Sequence, residues 1–292
     1  LLAIPTVHAA TLTVTSLADS GPGTLRQAIA DAAQGDAIEF GLTGVVELER
    51  RLEITRDLAI YGPGAAKITL KGRGPGYWHT VLDIASEATV TLCGLRIHNG
   101  SGELDHPSGG GISNAGDLIV RSCFVTGNYS ISGGGIFNTG TLLLDGTTVA
   151  FNESGYGGGT DYYGGGIFNT GSLTLSNSTV SANSAYYKGG GIYNGSSGTV
   201  RLVGSTVAFN RSLKNWQAVD GAGLYNEPGG QVSARGTIVA CNTGEPGVDF
   251  AGTLISEDNN LIQRVEGCVV VGTTNHNIVG IDPLLGPLAD NG

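Results

Sequence analysis

Methionine is absent from the 292 residues, and charged side chains make up only 14% of them, with 15 Lys and Arg against 25 Asp and Glu. Each shortage closes a class of function. A formal net charge of −10 lacks the cationic footprint that nucleic acid or an anionic membrane needs, although a local basic patch could still hold an acidic polysaccharide. Beyond the first residues no apolar run reaches the ~18 residues of a membrane helix, so no transmembrane segment is expected. With no CxxC spacing and no histidine cluster, no structural zinc site or other metal site is expected. Without methionine there is no initiator residue, and the sequence reads as a processed form or a fragment.

Two abundances oppose these shortages. Hydrophobic residues form 40% of the chain, too many for a disordered polymer. Fifty are glycine, without the three-residue period of collagen. The opening "LLAIPTVHAA" is apolar and ends in small residues, with Val7 and Ala9 placed like the −3 and −1 positions of a secretory cleavage site. Residues 1–9 are read as the tail of a signal peptide, the alternative being a first apolar strand.

The glycines fall in a repeated phrase. "GGGIFNTGTLLLDGTTVAFN" at 133–152 returns at 164–183 and 189–210, and the last glycine of the phrase recurs at Gly111, Gly135, Gly166, Gly191 and Gly223, at intervals of 24, 31, 25 and 32 residues. Asparagines keep the same beat in two series: Asn114, Asn138, Asn169, Asn194 and Asn226, and Asn99, Asn128, Asn152, Asn183, Asn210 and Asn242. A period of this size with variable insertions marks a stacked solenoid. Short alternating runs such as "SLTLSNSTVSA", without a 3.6-residue stripe, make its coils strands rather than helices. The expected fold is all-β: a single-stranded right-handed parallel β-helix, a pectate-lyase-like solenoid. Ile112, Ile136, Ile167, Ile192 and Leu224 should stack inside, and the asparagines should supply left-handed turn residues or amide ladders.

An open solenoid end needs a cap. In "GPGTLRQAIADAAQGD" Thr24 suits an N-cap, Leu25, Ile29 and Ala32–Ala33 an apolar face, and Gly35 a helix end. Residues 10–40 are therefore a first strand and short capping helix, and 41–292 the coils, forming a single domain with the cap.

"TLTVTSLADSGPGTLRQAIADA" resembles the N-terminal segment of bacterial secreted right-handed β-helix proteins related to those carrying the CSLREA motif, and "GGGI" followed by "FN" or "AN" phrases resembles the GGAI and FxxN repeats of polymorphic outer-membrane proteins. "NLIQRVEGCVVVGTTNHNIVGIDPLLGPLADNG" is similar to the region these proteins carry before a variable C-terminal anchor. The resemblance implies a secreted or cell-surface protein, outer-membrane-associated and adhesin-like, with an anchor region missing after Gly292. The CSLREA cysteine is replaced within "GTLRQAI".

Cys93 and Cys123, 30 residues apart, and Cys241 and Cys268, 27 apart, are each separated by about one coil. Disulfides Cys93–Cys123 and Cys241–Cys268 are expected, the first less well aligned on the asparagine beat, with four separate thiols as the alternative.

Insertions enter the repeat at one place, between the second asparagine series and the next glycines: 100–108, 153–163, 184–188 and 211–220. They should project side by side from one corner. Tyr156, Tyr162, Tyr163, Tyr186, Tyr187 and Trp216 lie in them and are the expected ligand-binding residues, since aromatic surfaces with interspersed polar groups suit sugar rings. The alternative is that these rings only order long loops. Asp161, Lys188, Lys214, Asp220 and His106 are the candidates for catalysis. A uronate lyase would use a lysine as base or to neutralise the substrate carboxylate, and in its usual form Ca²⁺; a glycoside hydrolase would use a carboxylate pair, for which Asp161 and Asp220, two coils or ~10 Å apart, are loosely spaced. The remaining histidines, His8, His79, His98 and His276, offer little. The favoured function is a binding passenger toward a polysaccharide or a cell-surface glycan, without cofactor. The rivals are a polysaccharide lyase or glycoside hydrolase on the same loops, and a structural spacer.

Overall fold

The structure, a computed structural model, describes residues 9–102, 108–155, 162–213, 221–244, 248–286 and 288–289. Alternation decides its strands. In Thr141–Asp145, Leu142 and Leu144 are buried while Thr141, Leu143 and Asp145 face outward. One coil consists of Ile136–Asn138, Thr141–Asp145, Thr148–Ala150 and the two-residue strand Glu153–Ser154. The next repeats it with Ile167–Asn169, Ser172–Ser176, Thr179–Ser181 and Ser184–Ala185. Strands pair in parallel with their counterparts one coil away, Ile136 on Ile167, Leu142 on Leu173, Val149 on Val180 and Ser154 on Ala185.

The result is a right-handed parallel β-helix with three long faces. The five-residue strands form the first face, the row through Thr148–Ala150 forms a ten-stranded second face, and the row through Ile136–Asn138 forms the third. Near the C-terminal end one strand, Phe250–Glu257, pairs with both the third and the first face and joins them into a single 18-stranded sheet. The two-residue strands stack as a short fourth row at the corner where the insertions leave. Among the described residues no helix is long and apolar enough to cross a membrane.

The interior is a set of ladders. Ile112, Ile136, Ile167, Ile192 and Leu224 stack in one column with no exposure, each contributing roughly 1.5–3 kcal/mol of burial. Both asparagine series turn inward beside such columns. Asn114, Asn138, Asn169 and Asn194 each donate Nδ2 to Oδ1 of the next, ending on Asn226, at 2.7, 2.7, 2.8 and 2.8 Å. Asn128, Asn152, Asn183 and Asn210 do the same toward Asn242, each at 2.9 Å. Asn99 is off by one. Gly100 N–H donates to Asn128 Oδ1 at 2.9 Å and so holds that rung, leaving Asn99 outside the ladder with its amide on Gly72 O.

The left-handed turn residue is not the ladder asparagine but the residue before it. Phe151, Ala182, Phe209 and Cys241 have φ of 57°, 54°, 58° and 57°. The glycine phrase serves two needs. Gly133 has φ 65°, and a Cβ there would meet Ile136 O at 2.4 Å; Gly134 passes so close that a Cβ would lie 2.3 Å from Glu153 O.

The cap is Leu25–Asp31, with Thr24 Oγ1 accepting from Gln27 N–H at 3.2 Å and Leu25, Ala28 and Ile29 buried on the first strands. It stops at Asp31, earlier than the expected Gly35. Ala32 turns out of the helix at ψ 135°, and Ala33 N–H, which would continue it on Ile29 O, donates instead to Asp36 Oδ2 at 2.7 Å.

All four cysteines are free, so neither Cys93–Cys123 nor Cys241–Cys268 is bridged. The register explains both. Cys93 stands in the outward row of the first face between Tyr61 and Arg121, whereas Cys123 lies two residues beyond Arg121 with its thiol turned inward at 2% exposure. Cys241 occupies the left-handed corner before Asn242, while Cys268 pairs with Gly252 at the start of a first-face strand.

Candidate functional site

The phrase Ile-aromatic-Asn makes a three-residue strand whose first and last side chains enter the core, so the middle one must face outward. Register then stacks Ser113, Phe137, Phe168, Tyr193 and Tyr225 along the third face. The rings of Phe137 and Phe168 lie 4.9 Å apart and 6° from parallel, Phe168 and Tyr193 5.0 Å and 13°, Tyr193 and Tyr225 5.7 Å and 7°. Each such pair adds about 0.5–1.5 kcal/mol beyond its burial. None of these four aromatics was among the candidates drawn from the insertions. The signal that could have found them was the repeated phrase itself, in which an aromatic sits between two inward residues.

The insertions add a second layer. Tyr163 stacks on Tyr193 at 4.7 Å and 11°. Tyr162 is only 4% exposed, parallel to Tyr187 at 6.0 Å and edge-on to Tyr186 at 5.6 Å, so its ring packs within the corner. Tyr186 and Tyr187 meet edge-to-face at 4.9 Å and are half-buried. Of the expected ligand residues the structure therefore brings Tyr162, Tyr163, Tyr186 and Tyr187 into one cluster continuous with the outward row. Tyr156 and Trp216 lie outside the described residues, as do the catalytic candidates Asp161, Lys214, Asp220 and His106.

Lys188 reaches onto the next coil. Its Nζ donates to Tyr225 Oη at 2.9 Å, sits 4.2 Å from that ring's centroid and lies 3.5 Å from Glu227 Oε1, which also accepts from Tyr193 Oη at 2.9 Å. Burial pushes the Lys188 ammonium toward losing its proton, but the Tyr225 hydrogen bond and the Glu227 charge outweigh it and raise its pKa above the ordinary lysine value. Burial, then the carboxylate of Glu227, raise Tyr193 well above the usual phenol range. Both shifts favour the protonated forms, Lys188 as the ammonium and Tyr193 as the neutral phenol. The geometry of Lys188 suits charge neutralisation and hydrogen bonding. Among the described residues no group of three or more His, Cys, Asp or Glu side chains could hold a metal ion.

Together these residues make a stripe of rings along the coils with a polar head of Lys188, Tyr193, Tyr225 and Glu227. Stacked rings cover one another's faces and present edges and hydroxyls outward. The exceptions are the outer faces of the end rings, since Phe137 has Ser113 as its register neighbour on the N-terminal side and Tyr225 has Ala251 on the C-terminal side.

No family model matches the chain, and no curated protein matches it. The resemblance to CSLREA-related and polymorphic outer-membrane proteins therefore stands on the quoted motifs alone. Among solved structures, the chain is similar to pectin methylesterase PemA from Erwinia chrysanthemi, at a TM-score of 0.45 and 11% identity over 91% of this chain and 81% of that one. It is similar also to ORF18 of Geobacillus virus E2, at 0.37 and 13% over 92% and 56%.

Proposed function

We propose that the chain is a glycan-binding passenger, secreted or displayed at a cell surface, that holds a polysaccharide along its third face without transforming it. The observation that carries this reading is the in-register row Phe137, Phe168, Tyr193 and Tyr225, flanked by Tyr163 and Tyr187 and ending in the Lys188–Tyr225–Glu227 group. A sugar presents apolar C–H faces and a rim of hydroxyls, and such a row with a polar head offers partners for both. The spacing of paired strands, about 4.8 Å, repeats the contact along a polymer, which favours a chain over a single sugar.

The test is retention of the protein on immobilised pectate, alginate, glycosaminoglycans and neutral glucans, followed in parallel by unsaturated-uronide absorbance and new reducing ends. Retention by one polymer without turnover is expected. Replacing Tyr187 and Trp216 by Ala should abolish it while leaving the Tm unchanged, because in the sequence both belong to insertions between the repeated phrases. Retention that survives both changes refutes the binding role. Turnover that disappears in Lys188→Ala would make the same corner the active site of a lyase or hydrolase, and silence with no retention would leave a spacer.

A further inference from the structure

Several arginines of this acidic chain stand close together at one place. Between the capping helix and the next coil lies a cavity of about 500 Å³ whose lining includes Arg26, Arg50, Arg51, Arg56, Glu53 and His79. Four of the 15 cationic side chains thus border one space in a chain of net charge −10. Two of the guanidiniums are already engaged. Arg26 binds Asp19 Oδ1 at 2.5 Å and the carbonyls of Arg50 and Arg51 at 2.8 Å each, and Arg51 binds Glu53 at 2.8 Å and faces Asp83 at 3.6 Å. These pairs fix the wall. Arg56 commits Nη1 to Ala32 O and keeps its other donors, and the exposed Arg50 guanidinium has no partner among the described residues.

His79 adds a second, independent demand. Its Nδ1 lies 3.2 Å from the carbonyl of Thr80, which can only accept, so Nδ1 donates there, and in the neutral ring Nε2 is then an acceptor. Nε2 is buried and has no hydrogen-bond partner among the described residues, a condition that native proteins rarely leave unanswered. A ligand that satisfies the wall must therefore carry an oxyanion for the arginines, which hold carboxylates in planar, bidentate fashion, and a hydroxyl to donate to His79. The volume suits one or two sugar rings. We propose that this cavity binds a sugar acid of the uronic class, its carboxylate held by Arg50 and Arg56 and one hydroxyl donated to His79 Nε2. The site lies at the N-terminal end of the third face, where Glu53 is in register with Asp83 and, through Ser113, with Phe137. It does not depend on the aromatic row, and either site could fail while the other stands.

The experiment is isothermal titration of the whole chain with galacturonate and with glucuronate, set against their methyl esters, inorganic phosphate and acetate. At least one of the two acids should bind, about tenfold or more tightly than its ester. Arg50→Ala, which removes a side chain with no described partner and should leave the Tm unchanged, should weaken it about tenfold or more. His79→Phe should erase the preference for the sugar acid over acetate. Equal binding of acid and ester, undiminished binding in Arg50→Ala, or no heat up to about 10 mM ligand each overturns the proposal. Phosphate binding as tightly as the sugar acid would reduce the site to a simple oxyanion pocket and overturn the role given to His79.

Discussion

Asp249 sits where the second asparagine ladder runs out of asparagines. Its Oδ1 accepts from the backbone N–H and from Nδ2 of Asn242 at 2.8 and 2.9 Å, and its Oδ2 accepts from Arg264 N–H at 2.9 Å, with the side chain wholly buried. The amides upstream all point the same way, so their dipoles add and end on this carboxylate. Burial raises the Asp249 pKa above the ordinary aspartate value by more than the hydrogen bonds from Asn242 and Arg264 lower it. The folded state therefore takes up its proton at a higher pH than the unfolded chain does. The associated stability is fully present below the unfolded value of 3.8 and is lost as pH rises through the raised folded value. Asp249→Asn keeps an oxygen for Asn242 but does not titrate. The Tm of wild type relative to Asp249→Asn should accordingly rise as pH falls from 7 toward 4. A difference that stays flat over that range, measured in one buffer series, would show that the folded carboxyl is not perturbed. Other carboxylates, such as Glu257 held down by Arg201, are common to both proteins and cancel.

At the scale of the element, the corner before each ladder asparagine carries a conformational cost. Phe151 is 60% exposed with φ 57°, a region costing about 1–2 kcal/mol for a residue with a Cβ. The same turn in the preceding coil is made by Gly127 at φ 62°. Phe151→Gly should be neutral or stabilising by up to about 1 kcal/mol, because relief of strain is partly offset by the entropy of the added glycine in the unfolded chain. Loss of more than about 1 kcal/mol in urea unfolding would mean that the exposed ring packs on something the corner needs. This turn also marks the limit of what sequence discloses. Repetition revealed Asn152 and Ile136 because each recurs at the same register and each answers a demand of the interior. It could not say which neighbour of the asparagine takes the left-handed φ, since Phe, Ala and Cys at that position share no chemistry. Nor could it separate Tyr162, buried among rings, from Tyr187 beside it, because an insertion has no period to fix its facing. The partnership of Lys188 with Glu227 spans 39 positions and the cavity joins Arg26 to His79, both outside any repeated phrase.

For the whole molecule, coil-on-coil pairing makes stability nearly one-dimensional: each coil rests on its two neighbours, and only the end coils need something else. At the N-terminal end that something is Leu25–Asp31, whose Leu25 is fully buried against the first strands. Leu25→Ala leaves a cavity under the cap and should cost about 2–5 kcal/mol locally. In a globular core such a loss is shared by every element. In a solenoid it should be confined, because strands such as Thr141–Asp145 pair with the coils on either side, whereas the helix packs on the strands Thr11–Val14 and Asp36–Phe40. Amide hydrogen exchange of Leu25→Ala should therefore quicken in the coils spanning residues 11–71 and stay at the wild-type rate in 136–226, where the aromatic row lies. Glycan retention should persist, while sugar-acid binding in the cavity beside the helix should fall. Exchange that quickens uniformly along the chain would mean that the coils unfold as one cooperative unit, and the separation of the two sites along the axis would then give no independence between them.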